Sequence, residues 1–518
     1  MKFCLLFFLA LLSFAGPATA APVSAGVPLD SWIYPALDKL AGLGLLESAL
    51  QGSRPYTRVE AARLTREALD HAVEGKASPV AGELLRRLAH ELRREIEEVK
   101  GNRAGSYLQP LREVRLDYLY QEGAASSLTG STLNARQNAL NTNNFGIDYN
   151  ETHNAQFLFE SEARLGNILL VSLRPQFLLR EGEDEDPEFR LREGKVALGL
   201  GPIEVSVGRQ SLWWGQGRHG SLLLTNNAEP LDMLRITNPT PVVLPWIFRY
   251  LGPMRFDLFF SHLDGYVADV DESNNAHGND PDFAGLRLNF KPLPFFEIGA
   301  ARTTIFGGEG IDVSHSDYLT IFSGRNLTGG EDTSNQLAAF DARIKIAALA
   351  GAELYGEYGG EDEAGGFIAH RAWIAGLYLP KLESSERLSL RLEYADLTDE
   401  SKLAPAWYRH GIFRSGYTWQ GKVLGHHVGG AARDFFGEVK LQLPKDVTLI
   451  GGVDIEERGT DQPVTEEHLQ PFVNIEWALQ NGWWMGASFA FDRVKNVNYQ
   501  TGAERTDHFG RFAVGKSW

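Results

Sequence analysis

From Tyr107 to the C-terminus the chain alternates apolar and polar positions with a period of two. Leu388, Leu390, Leu392 and Tyr394 fall on one face, with Arg387, Ser389, Arg391 and Glu393 on the other. Val473, Ile475, Trp477 and Leu479 oppose Phe472, Asn474, Glu476 and Ala478, and Val439, Leu441 and Leu443 oppose Glu438, Lys440 and Gln442. Successive side chains of a strand point to opposite faces, so this pattern predicts strands with one apolar surface. Their connections alternate in length. Tight turns such as Leu165-Gly166-Asn167, Gly201-Pro202, Pro444-Lys445-Asp446 and Gln480-Asn481-Gly482 give way to long polar stretches at 121–154, 305–336 and 397–432.

A soluble sandwich shows the same alternation. Three features favour a transmembrane barrel instead: charge along the polar face, the short-turn and long-loop asymmetry, and aromatics near strand ends (Tyr378, Trp483, Trp518) placed to form interfacial girdles. Direct reading gives seventeen strands, near 107–120, 155–164, 167–180, 189–200, 203–209, 255–263, 284–290, 295–304, 337–346, 350–358, 367–379, 387–396, 434–443, 447–457, 470–479, 483–493 and 507–518. A barrel with both ends on the periplasmic side needs an even number. The missing down-strand is placed at 242–251, where Pro245 implies a bulge or an edge. The expectation is an all-β barrel of eighteen antiparallel strands over 107–518, with 210–241 on the outer side.

The N-terminal part has a different rhythm. Asp30 or Ser31 can cap a helix carrying Trp32, Leu37 and Leu40. Thr57-Arg58-Val59-Glu60 has the form of a capping box, and Ser78-Pro79 opens a third helix with Leu85, Leu88, Leu92, Ile96 and Val99 on one stripe. Residues 28–100 are therefore expected to form a periplasmic helical unit, with 101–106 as a polar linker. Ahead of it, Lys2, the apolar run Cys4 to Phe14 and Ala18-Thr19-Ala20 read as a signal peptide over 1–20, too short to span a membrane.

Composition narrows the function. The only cysteine is Cys4, so a mature chain has no disulfide, thiol nucleophile or thiolate metal site. A net charge of −17 disfavours nucleic acid as a partner. Signatures of a serine-hydrolase elbow, a zinc-protease helix and a phosphate loop are all absent, so no enzyme is expected. No cofactor or metal is expected either. Asp269-Val270-Asp271-Glu272-Ser273 lacks calcium-loop spacing, and His426-His427 are adjacent, which on a strand points them apart. The acidic stretch Glu181 to Glu188 reads as a solvated tip.

Two loops stand out from the acidic background. The first, 208–230, reads GRQSLWWGQGRHGSLLLTNNAEP; the second contains Trp407, Tyr408, Arg409, His410, Arg414, Tyr417, Trp419, Lys422, His426, His427 and Arg433. Aromatic faces stack on sugar rings, arginine forks grip carboxylates, and asparagine amides satisfy vicinal hydroxyls. The same residues also suit a plug, because a barrel this wide must fill or narrow its lumen.

The first block, followed by Asn238-Pro239 and Leu244-Pro245-Trp246, resembles the capsule-assembly outer-membrane proteins of the Wzi family. The run YRHGIFRSGYTWQGKVLGHHVGG at 408–430, followed by Ala432-Arg433-Asp434, is similar to a second block of that family. Membership implies an 18-stranded outer-membrane barrel with lumen-occluding outer loops and a lectin-like hold on capsular polysaccharide. The residues placed in ligand contact or loop core are Arg209, Trp213, Trp214, Arg218, Asn226 and Asn227, then Trp407, Tyr408, Arg409, Arg414 and Tyr417. The pattern of Trp32, Tyr34, Leu37 and Leu40 with 55–62 resembles an S-layer-homology-like unit, which implies a cell-wall polymer as a partner for 28–100. The alternative reading is a sugar or solute porin with a periplasmic tether.

Overall fold

The structure, a computed structural model, describes residues 23–75, 77–101, 105–123, 125–128, 135–182, 186–263, 280–308, 334–361, 370–398, 407–410, 413 and 415–518. The expected signal peptide, the Asp269–Ser273 stretch and Arg414 lie outside them.

Among the described residues, eighteen antiparallel strands close into one barrel, each paired with its neighbours in sequence. They are Tyr107–Gln121 (β1), Thr152–Leu165 (β2), Leu169–Arg180 (β3), Glu188–Leu200 (β4), Ile203–Gln210 (β5), Leu231–Thr237 (β6), Pro253–His262 (β7), Asp282–Leu293 (β8) and Phe296–Phe306 (β9). The second half comprises Ser334–Ile346 (β10), Ala352–Glu361 (β11), Arg371–Leu379 (β12), Leu388–Asp396 (β13), Ala432–Leu443 (β14), Val447–Arg458 (β15), Glu466–Ala478 (β16), Trp483–Lys495 (β17) and Glu504–Ser517 (β18). β1 and β18 seal the cylinder, from Glu113 opposite Ser517 to Gln121 opposite Phe509.

The two faces of the wall are inverted relative to a soluble protein. Leu116, Phe177, Val207, Phe340, Ile475, Phe489 and Phe512 are exposed on the outside, whereas Asp117, Glu204, Asp257, Arg287, Glu357 and Glu393 are buried in the lumen. Lipid is the medium that accepts such an outer surface, and closure satisfies every strand edge. Trp483 and Trp518 are exposed at the short-turn end, as a girdle requires. Tyr378 is not part of it: its ring is buried on the lumen side under the Arg391 guanidinium, 4.4 Å from the ring centre.

All seventeen directly read segments are strands. The eighteenth is at a different place. Its residues are Leu231–Thr237, paired with β5 through Leu231–Gln210 and with β7 through Met233–Ser261. Within 242–251 only Val242 and Val243 pair, with Met254 and Pro253. Pro245 then starts a 3-10 helix over Trp246–Leu251 that leaves Trp246, Ile247, Phe248 and Tyr250 exposed. β6 escapes a periodicity reading because a lumen charge, Arg235, interrupts its inward set and is satisfied only across the sheet, by Asp257 at 2.6 Å. The parity argument stands, but the outer loop is 211–230, and 238–252 is an inner connection.

The helices are α1 (Ile33–Gly42), α2 (Arg58–Gly75), α3 (Pro79–Glu91) and α4 (Arg93–Val99). The expected third helix is two, broken at Leu92, whose φ of −104° and ψ of 20° leave the helical region. Ser78 caps α3 by accepting from Ala81 N, and Thr57 accepts from Glu60 N, but Glu60 turns its carboxylate to Arg63 instead of closing the box. Asp30 caps nothing; it pairs with Arg115, Arg174 and Arg192 of the barrel wall. The helical unit docks on the short-turn end: Lys39 reaches Pro380 O, Lys345 reaches Ala41 O, and Arg387 pairs with Glu83. Between α1 and α2 the chain runs into the lumen, where Ser53 and Arg54 pair as a short ladder with Trp214 and Trp213.

Candidate functional site

The outer loop 211–230 descends into the barrel and meets that N-terminal segment. Four wall carboxylates hold it. Glu357 accepts from Gly217 N at 2.9 Å and Leu222 N at 2.9 Å. Glu393 accepts from Arg218 N at 2.7 Å and His219 N at 2.9 Å. Gln216 donates to Glu297 and Asp341, while Arg343 of β10 donates to the Gln216 side-chain oxygen. The glycines of the GQGRHG run make this approach possible. A side chain at Gly215 would strike the Glu357 carboxylate, and one at Gly220 would strike the His426 ring.

The second loop packs on the first. Tyr408 and Tyr417 stack with ring centres 5.4 Å apart, Tyr408 Oη donates to Leu222 O at 2.6 Å, and Tyr417 Oη donates to Thr303 at 2.8 Å. Asn227 Nδ2 donates to Val423 O and Thr225 N–H to Leu424 O. Leu212, Trp214, Leu222, Leu224, Trp407 and Phe413 join Phe259, Phe283, Ile305 and Leu337 of the wall in one buried cluster spanning the lumen. A core of this kind is close-packed.

Trp213, Trp214, Asn226, Asn227, Trp407, Tyr408 and Tyr417 are all buried, and so is the Arg218 side chain. Their hydrogen bonds go to the protein: Trp213 Nε1 to Gly217 O, and Asn226 Nδ2 to Asn143 O. Their burial matches the loop-core role that the sequence reading set beside ligand contact. Arg209 lies on the outward parity of β5 and forks onto Asp232 at 2.7 Å. Arg409 is one-third exposed and pairs with Asp461 at 3.3 Å. Sequence reading passed over the segment 135–150. Arg136 is exposed there, its N–H donates to Gly421 O, and Asn143 and Asn144 are half-buried beside it. The density of asparagines was the available signal.

Below the loop, Arg218 reaches the helical unit. Asp38 of α1 accepts from Arg218 at 2.9 Å and from Arg54 at 3.2 Å, with Arg391 of β13 at 3.6 Å. Burial works against ionising Asp38, but Arg218, Arg54 and Arg391 outweigh it and hold the carboxyl well below its usual range. A depressed folded-state pKa stabilises the protein above the unfolded value of 3.8 and loses that effect as pH falls through the folded value. The stability gap between wild type and Asp38→Asn is therefore expected to be flat above about pH 5 and to narrow on acidification below it. Thermal midpoints from heat-modifiable gel mobility across pH check this.

His426 and His427 lie in a turn and not on a strand, so alternation does not separate them. Their rings stack with centres 4.7 Å apart, and the His219 ring meets His427 edge-on at 4.6 Å. The expectation that adjacency rules out shared chemistry loses its premise.

The family model of the capsule assembly protein Wzi matches residues 124–509. A Klebsiella pneumoniae protein described as an uncharacterized 55.8 kDa protein in the cps region is 30% identical over 243 residues, 46% of each chain. That match thus spans about half of the curated relative's length. The solved structure of Escherichia coli Wzi, described as an outer-membrane carbohydrate-binding β-barrel involved in group 1 capsule assembly, superposes with a TM-score of 0.71. It covers 96% of this chain and 100% of the other at 19% identity. The Pseudomonas aeruginosa channel OccD3 covers 80% of this chain at 10% identity, but its TM-score of 0.44 carries no argument. The inverted barrel, the lumen-filling loops and the family match over most of the chain lead to one conclusion: this chain is an outer-membrane β-barrel belonging to the Wzi capsule-assembly family.

Proposed function

We propose that the protein anchors capsular polysaccharide at the cell surface, binding the polymer without turnover. The observation that carries this reading is the lumen filled by folded outer loops in a member of a capsule-assembly family. A plugged barrel with an ordered outer face suits binding, and its solved relative from Escherichia coli is described as carbohydrate-binding. The contact surface we assign is the outer face around the 136–137 and 418–423 ladders. It presents the Arg136 guanidinium, the Gln420 amide and the partly exposed Arg409, with Tyr499 alongside. Fork donors and amides meet sugar hydroxyls and any carboxylates, and a ring edge supports stacking. Each contact is weak. Many barrels gripping one repeating polymer gain retention through effective concentration.

We read the helical unit as the lower half of the plug and not as a cell-wall tether. Asp38, Arg54 and Lys39 are all committed to the barrel or its outer loop. The experiment is a deletion strain scored for cell-bound against shed polysaccharide. Loss of cell-bound polymer, restored by wild type and not by Arg136→Ala with Arg409→Ala, supports the reading. Full retention in the deletion strain would sink it.

A further inference from the structure

The residues that meet near the outer ends of β14 and β15 have the composition of a metal centre. Asp434 stands opposite Glu456 and Phe436 opposite Asp454, so all four side chains share the lumen face. His219 comes down from the first outer loop, stacked on Phe436 with ring centres 4.0 Å apart. His427 enters from the turn of the second loop. One donor atom from each of His219, His427, Asp434 and Asp454 lies within 4.8 Å of the others.

The shorter distances are specific. His219 Nε2 is 3.4 Å from Asp434 Oδ2 and 2.8 Å from Asp454 Oδ2, and His427 Nε2 is 3.4 Å from the same Asp434 oxygen. With metal–nitrogen and metal–oxygen bonds of about 2.0–2.2 Å, the edges of a tetrahedron are about 3.3–3.6 Å, which both Asp434 distances meet, while the His219–Asp454 contact is a hydrogen bond that a cation would replace. The second observation is independent of that spacing. Both ring nitrogens of His427, both carboxylate oxygens of Asp434, Asp454 Oδ1 and Glu456 Oε1 are buried without a hydrogen bond. His427 is 0% exposed and Asp434 2%. Buried polar atoms are nearly always satisfied, and this many unpaired atoms in one small buried cluster call for a missing partner. Among the described residues one guanidinium, Arg458, accompanies the three acids, and Glu456 already engages it.

We propose that His219, His427, Asp434 and Asp454 bind one first-row divalent cation, zinc by preference. Two imidazoles and two carboxylates in four-coordinate geometry match zinc better than calcium or magnesium, which take six or more oxygens. Four protein ligands leave no open position, so the site is structural. Its ligands come from both outer loops and two wall strands, and the cation locks the plug to the barrel. Glu456 Oε1 lies beside the site, 3.3 Å from His427 Nε2, and is not counted among the four ligands.

The test uses the full-length barrel in detergent, stripped with chelator and dialysed against zinc. A single ion retained per wild-type barrel is expected, with a higher thermal midpoint than the stripped protein. His427→Ala and Asp454→Asn should each lose the ion, while His153→Ala with His508→Ala, on the outer wall, should keep it. Cobalt loaded into wild type should give the intense visible bands of tetrahedral coordination, a readout that needs no variant to fold. Wild-type protein that retains no zinc, a spectrum of hydrated octahedral cobalt, or folded site variants that retain zinc as wild type does would each overturn the proposal.

Discussion

Cutting out residues 211–230 and joining Gln210 to Leu231 by an Asn-Gly turn should open a cation-selective channel through the barrel. Gln210 and Leu231 are already paired across the mouth of the loop, so a two-residue hairpin connects them without disturbing β5 or β6. The excision removes Leu212, Trp214, Leu222, Leu223 and Leu224 from the cluster that spans the lumen. It also takes from Glu357 and Glu393 the backbone N–H donors that neutralise them, and from Glu297 and Asp341 the Gln216 amide. Glu357 and Glu393 lose those donors while Asp341 and Glu353 stay paired with Arg287 and Arg343, so the charge newly exposed on the path is negative, and a low-dielectric wall focuses its field on passing cations. Barrels of sixteen to eighteen strands hold an aqueous channel when nothing fills them. Planar-bilayer recordings check this: quiet traces for wild type and steady, potassium-preferring steps for the excised form. A conducting wild type would remove the plug from the account.

Asp38→Asn should be the most damaging single substitution in the plug. The change keeps the shape and deletes the charge, leaving Arg218, Arg54 and Arg391 in a buried space with no counter-ion among them at Asp38. Removing one partner of a buried ion cluster costs about 3–5 kcal/mol, because the remaining charges cannot be resolvated. The loss falls on a joint between the N-terminal helices and the outer loop, so both ends of the plug loosen together. Heat-modifiable mobility should shift to lower temperature, and trypsin should cut within 23–100 far faster than in wild type. Arg209→Ala is the contrast. Its partner Asp232 is largely exposed, and an exposed pair contributes about 0–1 kcal/mol. Equal midpoints for Asp38→Asn and wild type would contradict the account.

What was legible follows from where information is local. Seventeen strands could be read because lipid outside and charge inside impose strict alternation on each of them. β6 could not, because Arg235 belongs to the inward set only by virtue of Asp257 on the neighbouring strand β7. The run Trp246 to Tyr250 fell in the segment read as the missing down-strand, whereas its aromatics are exposed on a 3-10 helix. The loop blocks were located correctly, but whether each residue meets a ligand or fills the lumen was left open. Trp, Arg and Asn in a glycine-rich loop serve a sugar and a packed lumen equally well. Only the wall carboxylates at 297, 341, 357 and 393, scattered over four strands, decide that the loop turns inward. The histidine–aspartate cluster was invisible for the same reason. His219 is more than 200 positions from His427, and no spacing rule reaches that far.

The central claim, that a closed barrel holds polymer on its outer face, meets its most direct test in co-sedimentation of purified capsular polysaccharide with proteoliposomes. Saturable binding that tightens steeply as protein density in the membrane rises, and that falls when Arg136 and Arg409 are replaced by alanine, is the predicted result. Polysaccharide left in the supernatant at every protein density would contradict it.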